Sequence, residues 1–118
     1  MADRDYLDWP FLEPRHRTLA LELDAWAEAH LRDAHGSDVD AACRALVKKL
    51  GAGGWLRHAI GGAGRQIDTR AICLIRETLA RHAGLADFAF AMQGLGSGAI
   101  SLFGTAPVSY THLRAHET

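Results

Sequence analysis

Apolar side chains return every third or fourth residue in four successive stretches of this chain, and no stretch of alternating pattern finds a partner. That periodicity commits the chain to helices packed on helices, because a strand needs a second strand and a two-residue repeat. The first stretch opens after Pro14 and carries Leu19, Leu23, Trp26, His30 and Ala34, with Gly36 closing it. The second has Ser37 as its N-cap and Asp40 three residues on, a weak capping box. Val39, Cys43, Leu46 and Leu50 form its stripe, Lys48 and Lys49 suit the C-terminal end of the dipole, and Gly51 supplies the stop. The third runs from an Asp68 cap through Ile72, Ile75 and Leu79 to Gly84. The fourth opens near Asp87 and carries Phe88, Met92, Leu95, Ala99 or Ile100, and Phe103. An all-α fold is expected.

With 118 residues, 48% hydrophobic and 23% charged, the chain has ordinary globular composition and material for one core. A net charge of −1 offers no electrostatic footprint for nucleic acid or an anionic membrane. The opening "MADRDYLDWP" is acidic and lacks the apolar core of a signal peptide. Cys43 and Cys73 are not spaced as a metal pair and fall inside helices. They read as two buried free thiols of a cytoplasmic protein.

Between the second and third helices lies "GAGGWLRHAIGGAGRQI", a glycine-rich connector. Trp55, Leu56 and Ile60 give it apolar side chains that want cover, either as a surface loop stapled by one tryptophan or as a docking loop. The run "GLGSGA" at Gly94–Ala99 matches a dinucleotide-binding fingerprint, but it sits within a helical period. No strand precedes it, and the sole acidic residue downstream is Glu117, so the fingerprint fails its context.

Each glycine inside a helix costs roughly 1 kcal/mol against alanine, so Gly94, Gly96 and Gly98 call for a compensating gain. A close backbone approach or a flat ligand in a trough without side chains would supply it. Gly94 and Gly98 also form a G-x-x-x-G pair in an uncharged stretch from Phe88 to Pro107. The stretch is only weakly apolar and lacks a flanking basic cluster, so it reads as a buried helix rather than a membrane span.

Other prominent residues read as structural. Glu77 and Arg81 form a solvated helix pair, and His30, His58 and His82 are surface or satisfied core groups. Trp9, Trp26 and Trp55 are core or interface aromatics. From Val108 to Thr118 the sequence "VSYTHLRAHET" has no apolar periodicity. It resembles adaptor sequence read as protein, so 108–118 is set apart as a disordered foreign tail. His112 and His116 within it lack a third ligand, and no metal site is expected.

The remaining pattern resembles the N-terminal helical domain of acyl-CoA dehydrogenases over Leu19 to Thr105. The resemblance lies in the order of "AWAEAHL", "LVKKLGAGGWL", "GGAG", "IRETLARHAG" and "GLGSGAISLFGT". One segment departs from it: "LRHAIGGAG" stands where the family places a Pro-Glu-x-Tyr-Gly-Gly type segment. The resemblance implies a four-helix domain over 1–107, truncated at its C-terminal end. A β domain and a helical bundle would complete the parent, the bundle carrying the catalytic carboxylate, so no catalytic residue is expected here.

The activity implied is FAD-dependent oxidation of an acyl-CoA thioester to the 2,3-enoyl form, a carboxylate taking the α proton as the β hydride moves to flavin. The flavin is not expected to be held by this fragment, which would be inactive alone, and the parent is expected to be a homo-oligomer. Gly94, Leu95, Gly96, Ser97, Gly98 and Ile100 match the segment that borders the acyl-chain channel in relatives. A small non-enzymatic helical interaction module and a membrane-associated helical hairpin are the alternatives.

Overall fold

A computed structural model describes residues 4–32, 38–60, 66–105 and 107–108. Four α-helices make the architecture: α1 (Pro14–His30), α2 (Val39–Ala52), α3 (Thr69–His82) and α4 (Gly84–Phe103). Short 3-10 turns at Asp5–Asp8 and Leu56–His58 supplement them, and no strand occurs among the described residues. Helix α3 packs between α1 and α4, and α2 lies against α4.

Proline at the first helical position starts α1, where its missing N–H costs nothing. The Glu13 amide donates to Nδ1 of His16 at 3.0 Å, turning the ring into a local cap. The buried stripe of α1 is Ala20, Leu23 and Ala27, continued by Leu31 beyond the helix end. Leu19 and Trp26 flank it half-buried and His30 is exposed, so the face is turned by about one residue from the predicted one. Small side chains explain the difference: alanine carries little hydropathy signal, yet it lets two helices approach closely. The predicted Ala34 and Gly36 lie outside the described residues.

Asp38 caps α2, accepting from the Ala41 amide at 3.1 Å; the predicted cap, Ser37, lies outside the described residues. Leu46 and Leu50 are buried, whereas Val39 is mostly exposed and Cys43 half-buried. The helix runs past Gly51 to Ala52 and closes at Gly53, followed by Gly54 at φ 82°. The stop therefore comes where the backbone needs the left-handed region, not at the first glycine.

The Asp68 cap of α3 stands as expected, accepting from the Ala71 amide at 3.2 Å. Ile75 and Leu79 are fully buried on its inner face beside Leu74, Ala71 and Thr78. Cys73 points away from that face and is exposed, so neither cysteine is the buried thiol predicted. A single extended residue, Ala83, ends α3 and begins α4 at Gly84, three residues ahead of the predicted Asp87.

The core gathers Leu23, Leu31, Leu46, Leu50, Ile75, Leu79 and Phe90. It also takes Trp55, Leu56, Ala59 and Ile60 from the connector, so that half of the connector is core, held by four residues instead of one tryptophan. The "GGAG" portion, 61–64, lies outside the described residues. A smaller cluster of Leu7, Leu12, Ala20 and Leu74 seats the N-terminal segment on α1 and α3; Trp9 projects from it, mostly exposed.

Candidate functional site

Twenty residues of α4 rise about 30 Å at 1.5 Å each. The helix is apolar nearly all round, and its two faces meet different surroundings. Ala86, Ala89, Phe90 and Ser97 are buried against α2 and α3. Phe88, Met92, Leu95, Leu102 and Phe103 are exposed, Leu95 at 72% and Phe103 at 86%. The periodic stripe read from the sequence, beginning Phe88, Met92 and Leu95, is thus the outer face of α4. A helix with apolar residues on every side is one that expects cover on every side.

The "GLGSGA" run is helical throughout, as expected. A Cβ placed on Gly94 would lie 3.5 Å from the Ala59 carbonyl oxygen and 3.6 Å from its Cβ, ordinary contact with the connector. On Gly96 or Gly98 it would meet nothing within 4 Å among the described residues. Gly94 thus serves a neighbouring backbone, while Gly96 and Gly98 open onto the surface. Ser97 faces inward, its hydroxyl donating to the Gln93 carbonyl at 2.7 Å. Leu95 is exposed and Ile100 half-buried, its carbonyl accepting from the Gly104 amide at 2.9 Å.

Beside Gly94 and Leu95 runs an open groove of about 490 Å³. Ala59, Ile67 and Ile72 line it from the connector and α3, and Phe88, Met92 and Leu95 from α4. Arg76 and Asp87 supply its charge, joined by Nε to Oδ1 at 2.8 Å and Nη2 to Oδ2 at 3.3 Å. This fork-to-fork pair raises the Arg76 pKa and ties α3 to the first turn of α4. The groove is hydrocarbon-lined with a charged end.

The richest polar chemistry lies elsewhere, in the α1–α3 seam, and sequence spacing did not reveal it. His16 is 1% exposed; because its Nδ1 accepts from the Glu13 amide, its Nε2 carries the proton and donates to Asp68 at 2.9 Å. Asp68 also accepts from Arg15. Burial pushes the Asp68 carboxyl up, but His16, the Ala71 amide and Arg15 together outweigh it and hold it down at about 2.

At the other end of the seam Asp24 accepts from His82 at 2.6 Å and pairs with Arg81 and Arg4. The His82 hydrogen bond lowers the Asp24 pKa against its own desolvation, with Arg81 and Arg4 adding to the effect. Glu77 bonds Arg81 at 3.0 Å, as expected, and also accepts from the Tyr6 hydroxyl at 2.5 Å. Desolvation, with that Glu77 bond next, raises the Tyr6 pKa. The expected helix pair is thus one part of a network spanning the N-terminal segment, α1 and α3. Of the lone histidines, His82 is a partner in this network and His30 stacks on Trp26 with ring centroids 4.8 Å apart. These residues hold helices together; none lines the α4 groove.

Among the described residues no group of three metal-ligating side chains comes together. No helix among them is long and apolar enough to cross a membrane. No curated protein matches the chain. The profile of the acyl-CoA dehydrogenase N-terminal domain matches residues 13–114, from the α1 cap through α4 and on across 108–114. Helix order, connector and glycine-bearing last helix all fall inside that match, and the chain belongs to the acyl-CoA dehydrogenase family through its N-terminal domain.

Proposed function

We propose that this chain supplies one wall of the acyl-chain site in a flavin-dependent enzyme that oxidises an acyl-CoA thioester to its 2,3-enoyl form. The observation that carries the reading is the outer face of α4: exposed Phe88, Met92 and Leu95 beside a hydrocarbon-lined groove, with open space over Gly96 and Gly98. Hydrocarbon laid along such a face is transferred from water at about 25 cal/mol per Å² buried. Gly94, Leu95, Gly96, Gly98 and Ile100 would border the chain, with Ser97 bracing the helix from within. Family membership favours this over a helical interaction module without enzymatic descent.

FAD is the cofactor the family implies, and the groove does not fit its pyrophosphate. A pyrophosphate is met by several donors at once, commonly at a helix N-terminus, whereas the cation lining this groove is the single guanidinium of Arg76, and Asp87 places a carboxylate in the first turn of α4. No residue of this chain is assigned to the flavin, and the domain alone is expected to be inactive. The parent would be a homo-oligomer.

The test is Gly96→Val in a full-length acyl-CoA dehydrogenase carrying this domain. Flavin content should stay near normal while activity falls more on long acyl-CoAs than on short ones. A uniform loss at every chain length contradicts the reading.

A further inference from the structure

The charged end of the α4 groove has a feature that its role as a clamp leaves unused. A guanidinium presents two donor edges, one through Nε and Nη2 and one through Nη1 and Nη2, and each suits a carboxylate. Asp87 occupies the Nε–Nη2 edge of Arg76. Among the described residues both hydrogen bonds of Arg76 go to Asp87, which leaves the Nη1–Nη2 edge open on a side chain 52% exposed. Arg76 is itself part of the lining of a groove whose apolar residues include Ile67, Ile72, Phe88, Met92 and Leu95. Leu95 lies eight residues along α4 from Asp87, about 12 Å of helix. A hydrocarbon path of that length ends in a two-pronged oxyanion donor.

We propose that the open edge of Arg76 recognises a carboxylate at the end of an alkyl chain lying in this groove. The groove thereby takes such a chain in preference to an uncharged chain of equal length. The inference rests on the reading that an acyl chain lies along α4; in that setting the carboxylate is the one at the far end of the chain from the thioester. Asp87 has two opposed effects. It orients the guanidinium, and its own negative charge weakens the attraction for a second carboxylate.

Octanoate and 1-octanol, titrated into the 118-residue chain and located by NMR shifts at Met92 and Leu95, separate the possibilities. At low salt octanoate should bind a few-fold more tightly than octanol, the worth of an exposed ion pair, and the advantage should shrink at high salt because the edge is solvent-exposed. Arg76→Gln should remove the advantage while leaving octanol binding as it was, and Arg76→Lys should keep part of it. Asp87→Asn should strengthen octanoate binding, since the amide oxygen still accepts one bond from Arg76 while the competing charge is gone. Thermal melts of each variant verify that the fold is retained.

A pair that acts only as a helix clamp gives a different result: lower stability in the variants and an unchanged octanoate-to-octanol ratio. That outcome overturns the proposal while leaving the hydrocarbon groove intact. If neither ligand binds, the acyl-chain reading of α4 falls with it.

Discussion

The α1–α3 seam and the outer face of α4 are both elaborate, but the seam turns charged side chains toward one another while the outer face turns apolar ones to the surface among the described residues. In the seam His16 spends one ring nitrogen on a backbone amide and the other on Asp68, and Asp24 gathers His82, Arg81 and Arg4. On α4, Phe88, Leu95, Leu102 and Phe103 stand exposed among the described residues, and two glycines open onto space. Unmatched apolar surface on an otherwise well-packed domain marks a place where something else binds. The seam ties the helices together, and the outer face is the part of the domain to which the proposed function assigns a ligand.

Substitution across α4 should separate the two roles most sharply. Phe90→Ala, on the inner face, should cost about 3–5 kcal/mol of unfolding free energy, because it removes a ring that is 1% exposed. Leu95→Ala, on the outer face, should change stability by less than about 0.5 kcal/mol. Urea denaturation of both variants measures the contrast, and equal losses would mean that α4 packs on both sides within this chain.

Acid should act on the seam. Asp68 has its folded pKa lowered from 3.8 to about 2, so it contributes stability that is fully present above pH 4 and disappears as pH falls toward 2. Asp68→Asn keeps an acceptor for the Ala71 amide but loses the titrating charge. Its melting temperature should therefore fall less between pH 4 and pH 2 than that of the parent chain, as read by circular dichroism.

The glycines sharpen the comparison at smaller scale. At Gly53 a new Cβ would lie 2.9 Å from both Trp26 Nε1 and Trp55 Cδ1, so Gly53→Ala should destabilise by about 1–3 kcal/mol through overpacking. At Gly96 it would meet nothing within 4 Å, and Gly96→Ala should stabilise by somewhat less than about 1 kcal/mol from helix propensity. A destabilising Gly96→Ala would indicate that the open space is filled in solution.

Local signals in the sequence transferred well to the structure, and long-range ones did not. The Asp68 cap was legible because a cap joins a side chain to an amide three residues away. The role of His16 was hidden because its partner, Asp68, is 52 residues distant and neither residue is unusual by itself. The stripe on α4 was read at the right spacing, yet periodicity carries no sign: it shows that a helix has a face without showing where that face points. In α1 the buried alanines Ala20 and Ala27 shifted the face away from the larger Leu19 and Trp26. Of the segment proposed to border substrate, the exposure of Leu95 and the inward hydroxyl of Ser97 could be learned only from the packing of the other helices around α4.

The central claim is that the outer face of α4 receives an acyl chain while its inner face serves the fold. The direct measurement is a two-dimensional NMR titration of the isotopically labelled chain with octanoyl-CoA. The amide and methyl signals of Met92, Leu95, Gly96 and Gly98 should move together with ligand concentration, while those of Ala86 and Ala89 on the buried face stay nearly fixed. Shifts confined to other parts of the surface, with the α4 signals unmoved at saturating ligand, would contradict the account.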